Sequence, residues 1–284
     1  MDSRPILTLL EELERLLPGQ SRSDLRRLLA DGRVTVNGSV AKIARMCVEP
    51  TDAVRVRNDR KPLRRWPFTV VHADDDLLVI DKPAGLITSS TPREKRPTAL
   101  AIAREWAAIE RPRAKVGLVH RLDADASGLL CFSLNNAAHN ALKGQFFDHS
   151  AGRTYAAVVA KSVTPPVGTI RSLLVEHVDG TVHATKNPQH GRPAITHYQT
   201  VAVARPRTLL HVTLETGRKH QIRAHLSGRG WPIVGDRLYD GDPADRLMLA
   251  AIRLELAHPT AGGRVVFEAP MPSEFRTLVP SVQP

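Results

Sequence analysis

A short acidic stretch in the middle of the chain combines residue types that could do chemistry. The segment VGLVHRLDADASGLLCFSL, residues 116–134, places Asp123 and Asp125 directly after His120 and Arg121, between two apolar runs. Asp, Ser and Gly favour turns, so a simple chain reversal is one interpretation. A calcium loop is a second. A carboxylate that takes part in catalysis, as a nucleophile or a charge stabiliser, is the third.

The calcium interpretation fails on spacing. Asp123, Asp125, Ser127 and Gly128 match the early positions of an EF-hand loop, but the last position, which must supply a bidentate carboxylate, is Leu134. A glycoside hydrolase with Asp123 and Asp125 as its two carboxylates is also disfavoured, because such enzymes usually take them from separate elements. The turn and the catalytic carboxylate both remain open, and no metal site is predicted.

The elements that must position Asp123 have the pattern of strands more often than of helices. PFTVVHADDDLLVIDKPAG predicts two strands around an acidic turn, and TALAIAREWAAIE predicts a helix. Further strands are predicted at TYAAVVAKSV, ITHYQTVAVA, TLLHVTLET and GRVVFEAP, with few helices between them. This order favours an α+β domain on a mostly antiparallel or mixed sheet with flanking helices over a doubly wound one.

The N-terminal part predicts a separate small α/β module. Apolar residues recur at spacings of three and four over residues 6–17, which predicts an amphipathic helix. A second helix follows, capped by Ser21 or Ser23 and ended by Gly32, and Asn37-Gly38 is a strong hairpin signal. The basic, proline-containing stretch RNDRKPLRRWP predicts a linker. We therefore expect a module over 1–60, a linker over 61–67 and a large domain over 68–284.

The charge balance favours a polyanionic partner. The chain has 40 Lys plus Arg against 29 Asp plus Glu, a formal charge of +11, so nucleic acid is the leading candidate. No apolar run is long enough for a membrane span, no secretory leader is evident, and the two cysteines stand alone. These observations predict a cytoplasmic protein without a disulfide framework or a structural zinc site. No nucleotide-binding fingerprint is present.

The segment SRSDLRRLLADGRVTVNG resembles the core of the S4 RNA-binding domain. The resemblance implies that basic side chains of the second helix and the following turn contact RNA, here Arg22, Arg26, Arg27 and Arg33. Arg22 and Arg26 share a helix face, and neither has an acid four residues before it, so we expect an unpaired basic stripe. A solvated helix face is the alternative interpretation.

Several ordered motifs resemble the RluA family of pseudouridine synthases. They are LLVIDKPAGL, HRLDADASGLL, GRTYAAVVA, GRKHQIRAHL and RLMLAAIRLELAHP, spread over roughly two hundred residues of the chain. The resemblance implies the pseudouridine synthase fold and an RNA substrate. It also implies a reaction in which the N-glycosidic bond of a uridine is broken and the uracil is rejoined to the ribose through carbon. This isomerisation requires neither a cofactor nor a metal.

The resemblance also implies roles for individual residues. Asp123 is the catalytic carboxylate, Arg223 binds it in a bidentate manner, and Tyr155 stacks on the target uracil. We expect a helix from Gly217 to Leu226 to carry Arg223 at the margin of the core. Among the expected RNA-binding residues, Arg121 helps to hold the opened RNA. His120 contacts phosphate or orders the loop. Arg218 and Lys219 form a phosphate clamp or a solvated basic face. Arg153 stands where the family usually has lysine.

Together these patterns predict an RNA pseudouridine synthase that acts on structured RNA. The S4-like module favours ribosomal RNA of the large subunit, and transfer RNA is the alternative. A non-catalytic RNA-binding or ribosome-assembly factor on the same fold is a further alternative, against which the joint presence of Asp123, Tyr155 and Arg223 argues. The default oligomeric state is a monomer.

Overall fold

The computed structural model describes residues 6–56, 66–90 and 96–280. The chain divides into two compact units, Met1–Arg65 and Trp66–Pro284. The predicted linker over 61–67 lies outside the described residues except for its last two positions. None of the helices within the described ranges is both long and apolar enough to cross a membrane.

Over residues 6–56, the first unit contains two helices and five short strands. The two-stranded sheet pairs β1 with β4, and the three-stranded sheet has the order β3-β2-β5. In chain order the elements are β1 (Leu7–Thr8), α1 (Leu9–Leu16), α2 (Arg22–Ala30), β2 (Val34–Val36), β3 (Ser39–Val40), β4 (Cys47–Val48) and β5 (Val54–Val56).

Local signals explain where the helices of the first unit begin and end. Thr8 caps α1 in a capping box with Glu11, so this helix begins at Leu9, later than the expected residue 6, because the preceding residues pair as a strand. Ser21 caps α2, as one of the two predicted caps. The predicted hairpin is confirmed, with Asn37 at φ 52° and Gly38 at φ 85°, the left-handed conformations that its turn requires.

The second unit is built on one 11-stranded sheet with four helices among the described residues. Its elements are β6 (Thr69–Ala73), β7 (Leu77–Lys82), α3 (Ala99–Glu110), β8 (Gly117–Leu118), β9 (Ser127–Ser133), α4 (Asn136–Phe147), β10 (Gly152–Val159), β11 (Val167–Glu176), β12 (Val182–Thr185), β13 (Arg192–Ala204), β14 (Arg207–Leu214), α5 (Gln221–Gly228), β15 (Leu249–Ala257), β16 (Arg264–Glu268) and α6 (Ser273–Leu278).

The sheet is mixed, which confirms the predicted α+β class. Its main path runs β12-β11-β13-β14-β10-β15-β9-β7-β6, while β16 pairs with β15 and β8 with β9. All strand pairs are antiparallel except β9 with β15. The sequence analysis did not identify α4.

The strands β7 and β9 each contain an unbroken apolar run, over 77–80 and 129–132, because both faces of the sheet are covered here. Leu78 and Ile80 belong to the main core together with residues of α3. Leu77 and Val79 belong to a second cluster on the other face, which includes Leu142 of α4. Two buried faces explain why these runs do not alternate between apolar and polar residues.

The parallel contact between β9 and β15 depends on a glycine. Gly128 has φ 105°, and a Cβ at this position would lie 2.1 Å from the carbonyl oxygen of Ala251. Only glycine permits both this conformation and this approach. Ser127 and Gly128 therefore begin a buried strand, and the expected turn is confined to a bend at Ala124 and Asp125.

Candidate active site

A cleft of about 600 Å³ in the second unit gathers most of the predicted site residues. Asp123 lies in its wall, together with apolar side chains of β10, β14 and α5 and the C-terminal end of α4. The predicted residues that line this cleft are His120, Arg121, Asp123, Tyr155, Arg218 and Lys219.

Backbone contacts on both sides of Asp123 fix the loop that carries it. The Thr88 hydroxyl donates to the Leu122 carbonyl at 2.7 Å and accepts from the Leu122 N–H at 3.2 Å. The Gly85 N–H donates to the Ala124 carbonyl at 2.9 Å. The Asp123 side chain is 23% exposed. The loop is thus anchored, while the carboxylate remains accessible from the cleft.

Lys82, at the end of β7, is fully buried and binds the same loop. Its Nζ donates to the carbonyls of Pro83, Leu86, Ala124 and Ala126 at 2.6 to 3.0 Å. Burial lowers the Lys82 pKa to about 8, and the nearby carboxylates of Asp123 and Asp125 oppose this shift. Lys82 therefore joins the segment after β7 to the residues that flank Asp123.

Arg223 binds a carboxylate in a bidentate manner, but that carboxylate is Asp236. Its Nε and Nη2 donate to the two Asp236 oxygens at 2.8 and 2.7 Å, whereas Nη1 lies 3.7 Å from Asp123 Oδ2. The expected bidentate pair with Asp123 is therefore wrong. Burial opposes the charge on Arg223, but the hydrogen bonds to Asp236 and the charges of Asp236 and Asp123 together outweigh it and raise the Arg223 pKa. A fixed cation thus stands beside Asp123.

The helix that carries Arg223 is shorter than expected. It begins at Gln221, not at Gly217, because His220 has the left-handed conformation with φ 49°. The Gln221 amide oxygen accepts from the Thr216 hydroxyl and from the Arg218 N–H at 2.8 and 3.1 Å. These bonds hold the preceding residues as a loop. Arg223 is buried in the core, with 3% of its side chain exposed.

Tyr239 supports the Arg223 guanidinium from another direction. The Arg223 Cζ lies 5.1 Å from the Tyr239 ring centroid, within the range of a cation–π contact. The Tyr239 hydroxyl accepts from the Val182 N–H at 2.8 Å and lies 3.1 Å from His220 Nδ1. Burial raises the Tyr239 pKa, so this hydroxyl is neutral near pH 7. Asp236 and Tyr239 thus fix the position of Arg223.

Tyr155 is placed by the register of the central strands. It lies opposite Val212 of β14 and Ala251 of β15, and Ala251 in turn lies opposite Gly128. Only 7% of Tyr155 is exposed, and burial raises the pKa of its phenol. The sheet therefore places a neutral aromatic side chain in the wall of the cleft that contains Asp123.

His120 has structural contacts on both its edge and its face. Its Nε2 accepts from the Cys131 N–H at 2.9 Å, and its ring stacks on Phe146 with centroids 4.2 Å apart. Burial and the charge of Arg153 lower its pKa to about 3, so His120 is neutral at pH 7. These contacts favour the loop-ordering alternative over phosphate contact. Arg153 also contacts the Phe146 ring, with its Cζ 5.8 Å from the centroid.

The three cations that the sequence predicts at the cleft differ in whether they have a partner. Arg121 is exposed and forms no hydrogen bond or ion pair within the part of the chain that the structure describes. The Arg218 Nε donates to the Pro193 carbonyl at 3.1 Å, and Lys219 pairs with Glu176 at 2.5 Å. Arg121 is therefore better suited than Lys219 to an incoming anion.

The predicted arginines of the first unit differ in their pairing. Arg22 forms an ion pair with Glu14 of α1 at 2.5 Å, so the expected unpaired stripe is wrong at this position. The sequence spacing did not reveal the pair because Glu14 lies on another helix. Arg26 and Arg27 are exposed and form no ion pair with a described residue, and Arg33 is partly buried.

Sequence reasoning missed Lys82, Asp236 and Tyr239. Lys82 ends the apolar strand LLVIDK, where a lysine in a buried position must find several acceptors. Asp236 follows the apolar segment WPIVG, and a buried Arg223 requires a buried acid. Both signals are present in the sequence, but neither identifies its partner.

Comparisons with known proteins match both units of the chain. A family model for RNA pseudouridylate synthase matches residues 76–228, and an S4 domain model matches residues 9–54. The chain is 32% identical to ribosomal large subunit pseudouridine synthase D of Pasteurella multocida, with 96% of this chain and 90% of the relative covered. The protein of the same name from Pseudomonas aeruginosa is 34% identical, with 93% and 88% covered.

A solved structure shows the same fold. Human RNA pseudouridylate synthase domain containing 4 superposes with a TM-score of 0.62 at 22% identity, covering 73% of this chain and 90% of that one. The sequence matches extend over both units and include the segments that form the cleft. The chain therefore belongs to the RNA pseudouridylate synthase family and is an isomerase that acts on RNA, with an S4 domain in its first unit.

Proposed function

We propose that this enzyme converts one or more uridines of large-subunit ribosomal RNA to pseudouridine, with Asp123 as the catalytic carboxylate. The names of the relatives from Pasteurella multocida and Pseudomonas aeruginosa support this RNA class over transfer RNA. The observation that carries the site assignment is the accessible Asp123 carboxylate, whose Oδ2 lies 3.7 Å from Nη1 of Arg223. The other edge of the Arg223 guanidinium is bound to Asp236. The S4 domain, the linker and the catalytic domain over 1–60, 61–67 and 68–284 are part of the proposal.

The geometry supports separate roles for three residues. Asp123 acts on C1′ or C6 of the uridine, or stabilises the sugar cation, while the glycosidic bond breaks. Arg223 fixes the carboxylate through Nη1 and does not leave its position, because Asp236 occupies Nε and Nη2. Tyr155 packs against the uracil while the base turns over and C5 replaces N1 at the ribose. The proton lost from C5 is balanced by the one gained at N1.

RNA binding in this proposal uses cations of both units. A uridine within structured RNA must be flipped out, at a cost of a few kcal/mol. We assign Arg121 to the opened RNA and Arg218 and Lys219 to phosphates at the cleft, with His120 ordering the loop. Arg26 and Arg27, with Arg22 and Arg33, supply phosphate contacts in the first unit. The proposal includes a cytoplasmic monomer.

The test is pseudouridine mapping in a strain that lacks the gene. Large-subunit RNA and transfer RNA are mapped by carbodiimide-dependent primer extension after complementation with wild type or with Asp123→Asn. We expect wild type to restore pseudouridine in large-subunit RNA and Asp123→Asn to restore none, while its affinity for the RNA stays close to that of wild type.

Two outcomes would contradict the proposal in different ways. Full restoration by Asp123→Asn would remove Asp123 from catalysis and favour another carboxylate. Restoration by wild type in transfer RNA alone would retain the chemistry and change the substrate. The control variant is Asp125→Asn, which is expected to restore pseudouridine because Asp125 is exposed in the bend that follows Asp123.

A further inference from the structure

Phe147, the last residue of α4, is an exposed aromatic side chain at the catalytic cleft. It is 80% exposed and lines the cleft that contains Asp123. The chain has three Trp, three Tyr and six Phe residues, all of them described, and each of the others is buried or half-buried. An exposed ring at this one place is therefore not a general property of the surface.

The backbone around Phe147 is fixed, so the ring does not project from a frayed end. The Gln145 side chain donates to the Ala257 carbonyl at 2.8 Å and accepts from the Ala257 N–H at 2.7 Å. The N–H groups of Ser150 and Ala151 both donate to the Gln145 carbonyl, at 2.9 and 3.2 Å. Phe146, the preceding residue, packs inward against His120. These contacts leave Phe147 at the rim.

Basic side chains lie near Phe147, and Asp148, an exposed acid, follows it in the chain. Lys143 lies four residues earlier on the same helix face, is exposed and forms no ion pair with a described residue. Exposed His149 and the cation Arg121 also line or border the cleft. An aromatic face beside cations is the arrangement that binds single-stranded nucleic acid, by stacking a base while the cations contact phosphate.

We propose that Phe147 is a base-stacking site for a nucleotide next to the target uridine, with Lys143 contacting the attached phosphate. This inference rests on the proposed function, which supplies the RNA. Flipping the target disrupts the stacking of its neighbours, and a ring at the rim offsets part of that loss. Phe147 is then a substrate-binding residue that selects RNA in which this neighbour can leave its stack.

The test compares Phe147→Ala, Phe147→Leu and Phe147→Trp in the full chain, on the RNA segment that carries the mapped uridine. Removing one stacking interaction is expected to raise KM about 5- to 150-fold, with little change in kcat at saturating RNA. Phe147→Leu should resemble Phe147→Ala because leucine has no π-face, and Phe147→Trp should retain wild-type KM. The matched control is Ile109→Ala, an exposed apolar residue on α3 that does not line the cleft.

Two further measurements separate stacking from charge. The Phe147→Ala effect should be the same at low and high salt, whereas Lys143→Ala should reduce the salt slope by the amount expected for about one phosphate. 2-Aminopurine placed at successive positions beside the target, in complexes of Asp123→Asn, should be quenched at one position, and Phe147→Ala should abolish that quenching. Because the fluorescence measurement needs no turnover, it remains decisive if the assignment of Asp123 fails.

The inference is overturned if Phe147→Ala has the KM of Ile109→Ala, or if its quenching equals that of the parent complex. Wild-type KM in Phe147→Leu would also overturn it, because the contact would then be apolar and not stacking. Absence of pseudouridine from large-subunit RNA with wild-type protein contradicts the proposed substrate instead, and the quenching is then measured on the RNA in which the mapping does find pseudouridine.

Discussion

At the scale of single residues, the site depends on how Arg223 divides its donors. The Nε–Nη2 edge is engaged by Asp236, which is fully buried, and only Nη1 is directed toward Asp123. An arginine held at one edge keeps its position when the other edge changes partner. In the proposed mechanism, Asp123 acts on the substrate while Arg223 keeps Asp236 as its buried counter-ion.

Two variants at the Arg223–Asp236 pair should separate the effect on folding stability from the effect on kcat, and the first is Asp236→Asn. The substitution leaves the Arg223 charge buried without its counter-ion, so we expect a loss of about 3–5 kcal/mol in the free energy of unfolding and a large decrease in kcat. The double variant Arg223→Met/Asp236→Leu removes both charges and should recover most of the stability, but none of the activity. Denaturant unfolding and pseudouridine formation measure the two effects. An active double variant would refute the role of Arg223.

His120 should make stability sensitive to acid. Its pKa falls from 6.5 to about 3 on folding, so the unfolded chain binds a proton that the folded chain excludes. The stabilisation that neutral His120 contributes to the free energy of unfolding is fully present above its unfolded pKa of 6.5. It is lost as pH falls toward 3, with a slope of up to about 1.4 kcal/mol per pH unit.

The matched variant for this effect is His120→Gln, which keeps an acceptor for the Cys131 N–H but does not titrate. Unfolding is measured in denaturant at about pH 7 and about pH 5. The loss of stability between these values should be smaller in His120→Gln than in wild type. His225, whose burial also lowers its pKa, is common to both proteins and cancels. Equal losses would exclude His120 as a source of acid sensitivity.

At the scale of elements, two loops are joined around the Asp123 carboxylate. The segment after β7 and the segment before β9 are distant in sequence, and both bind the Lys82 ammonium. The parallel approach of β9 to β15 fixes the end of the second loop at Gly128. The position of Asp123 is therefore set by strand ends and not by the bend that follows it.

Lys82→Met tests this connection. Methionine fills the stem but leaves several buried carbonyls without a donor, at about 1–3 kcal/mol for each group that stays unsatisfied. We expect a clear decrease in the denaturant midpoint of unfolding. We also expect a larger effect on kcat than on KM, because the loop that carries Asp123 loses its contacts with Lys82. Lys115→Met, the same change at an exposed lysine, is the control and should alter neither. A destabilised variant with unchanged kcat per folded molecule would show that Lys82 does not position Asp123.

At the scale of the whole molecule, basic residues occur in both units. The net charge of +11 belongs to the chain as a whole, while the cleft cations and the S4 arginines lie in different units. Pairing distinguishes the arginines: Arg22 is bound to Glu14, whereas Arg26 and Arg27 are exposed on the same helix. An arginine already paired within the protein releases fewer counter-ions from RNA.

The salt dependence of RNA binding should reveal this difference. Replacing Arg26 and Arg27 by alanine should weaken binding and reduce the slope of log K against log salt by about 0.7–0.9 for each phosphate that the variant no longer neutralises. The matched control is Arg22→Ala. It should change the slope less than Arg26→Ala or Arg27→Ala alone, because Arg22 is already paired with Glu14. Filter binding of the full chain across a salt series provides the measurement. A larger effect of Arg22→Ala than of Arg26→Ala would reverse the assignment of the RNA-binding face.

The sequence by itself determined the family, the α+β class and the choice of Asp123 as the candidate carboxylate, because these depend on motifs and periodicities that are local in the chain. The helix cap at Ser21 and the turn at Asn37-Gly38 could likewise be predicted from the sequence, since each depends on adjacent residues. Only the tertiary structure decided which side chains pair. Asp236 binds Arg223 from 13 residues away, Glu14 binds Arg22 from another helix, and Lys82 reaches carbonyls 42 and 44 residues along the chain. A buried charge requires a partner, and no local pattern specifies which distant residue the fold will bring to it.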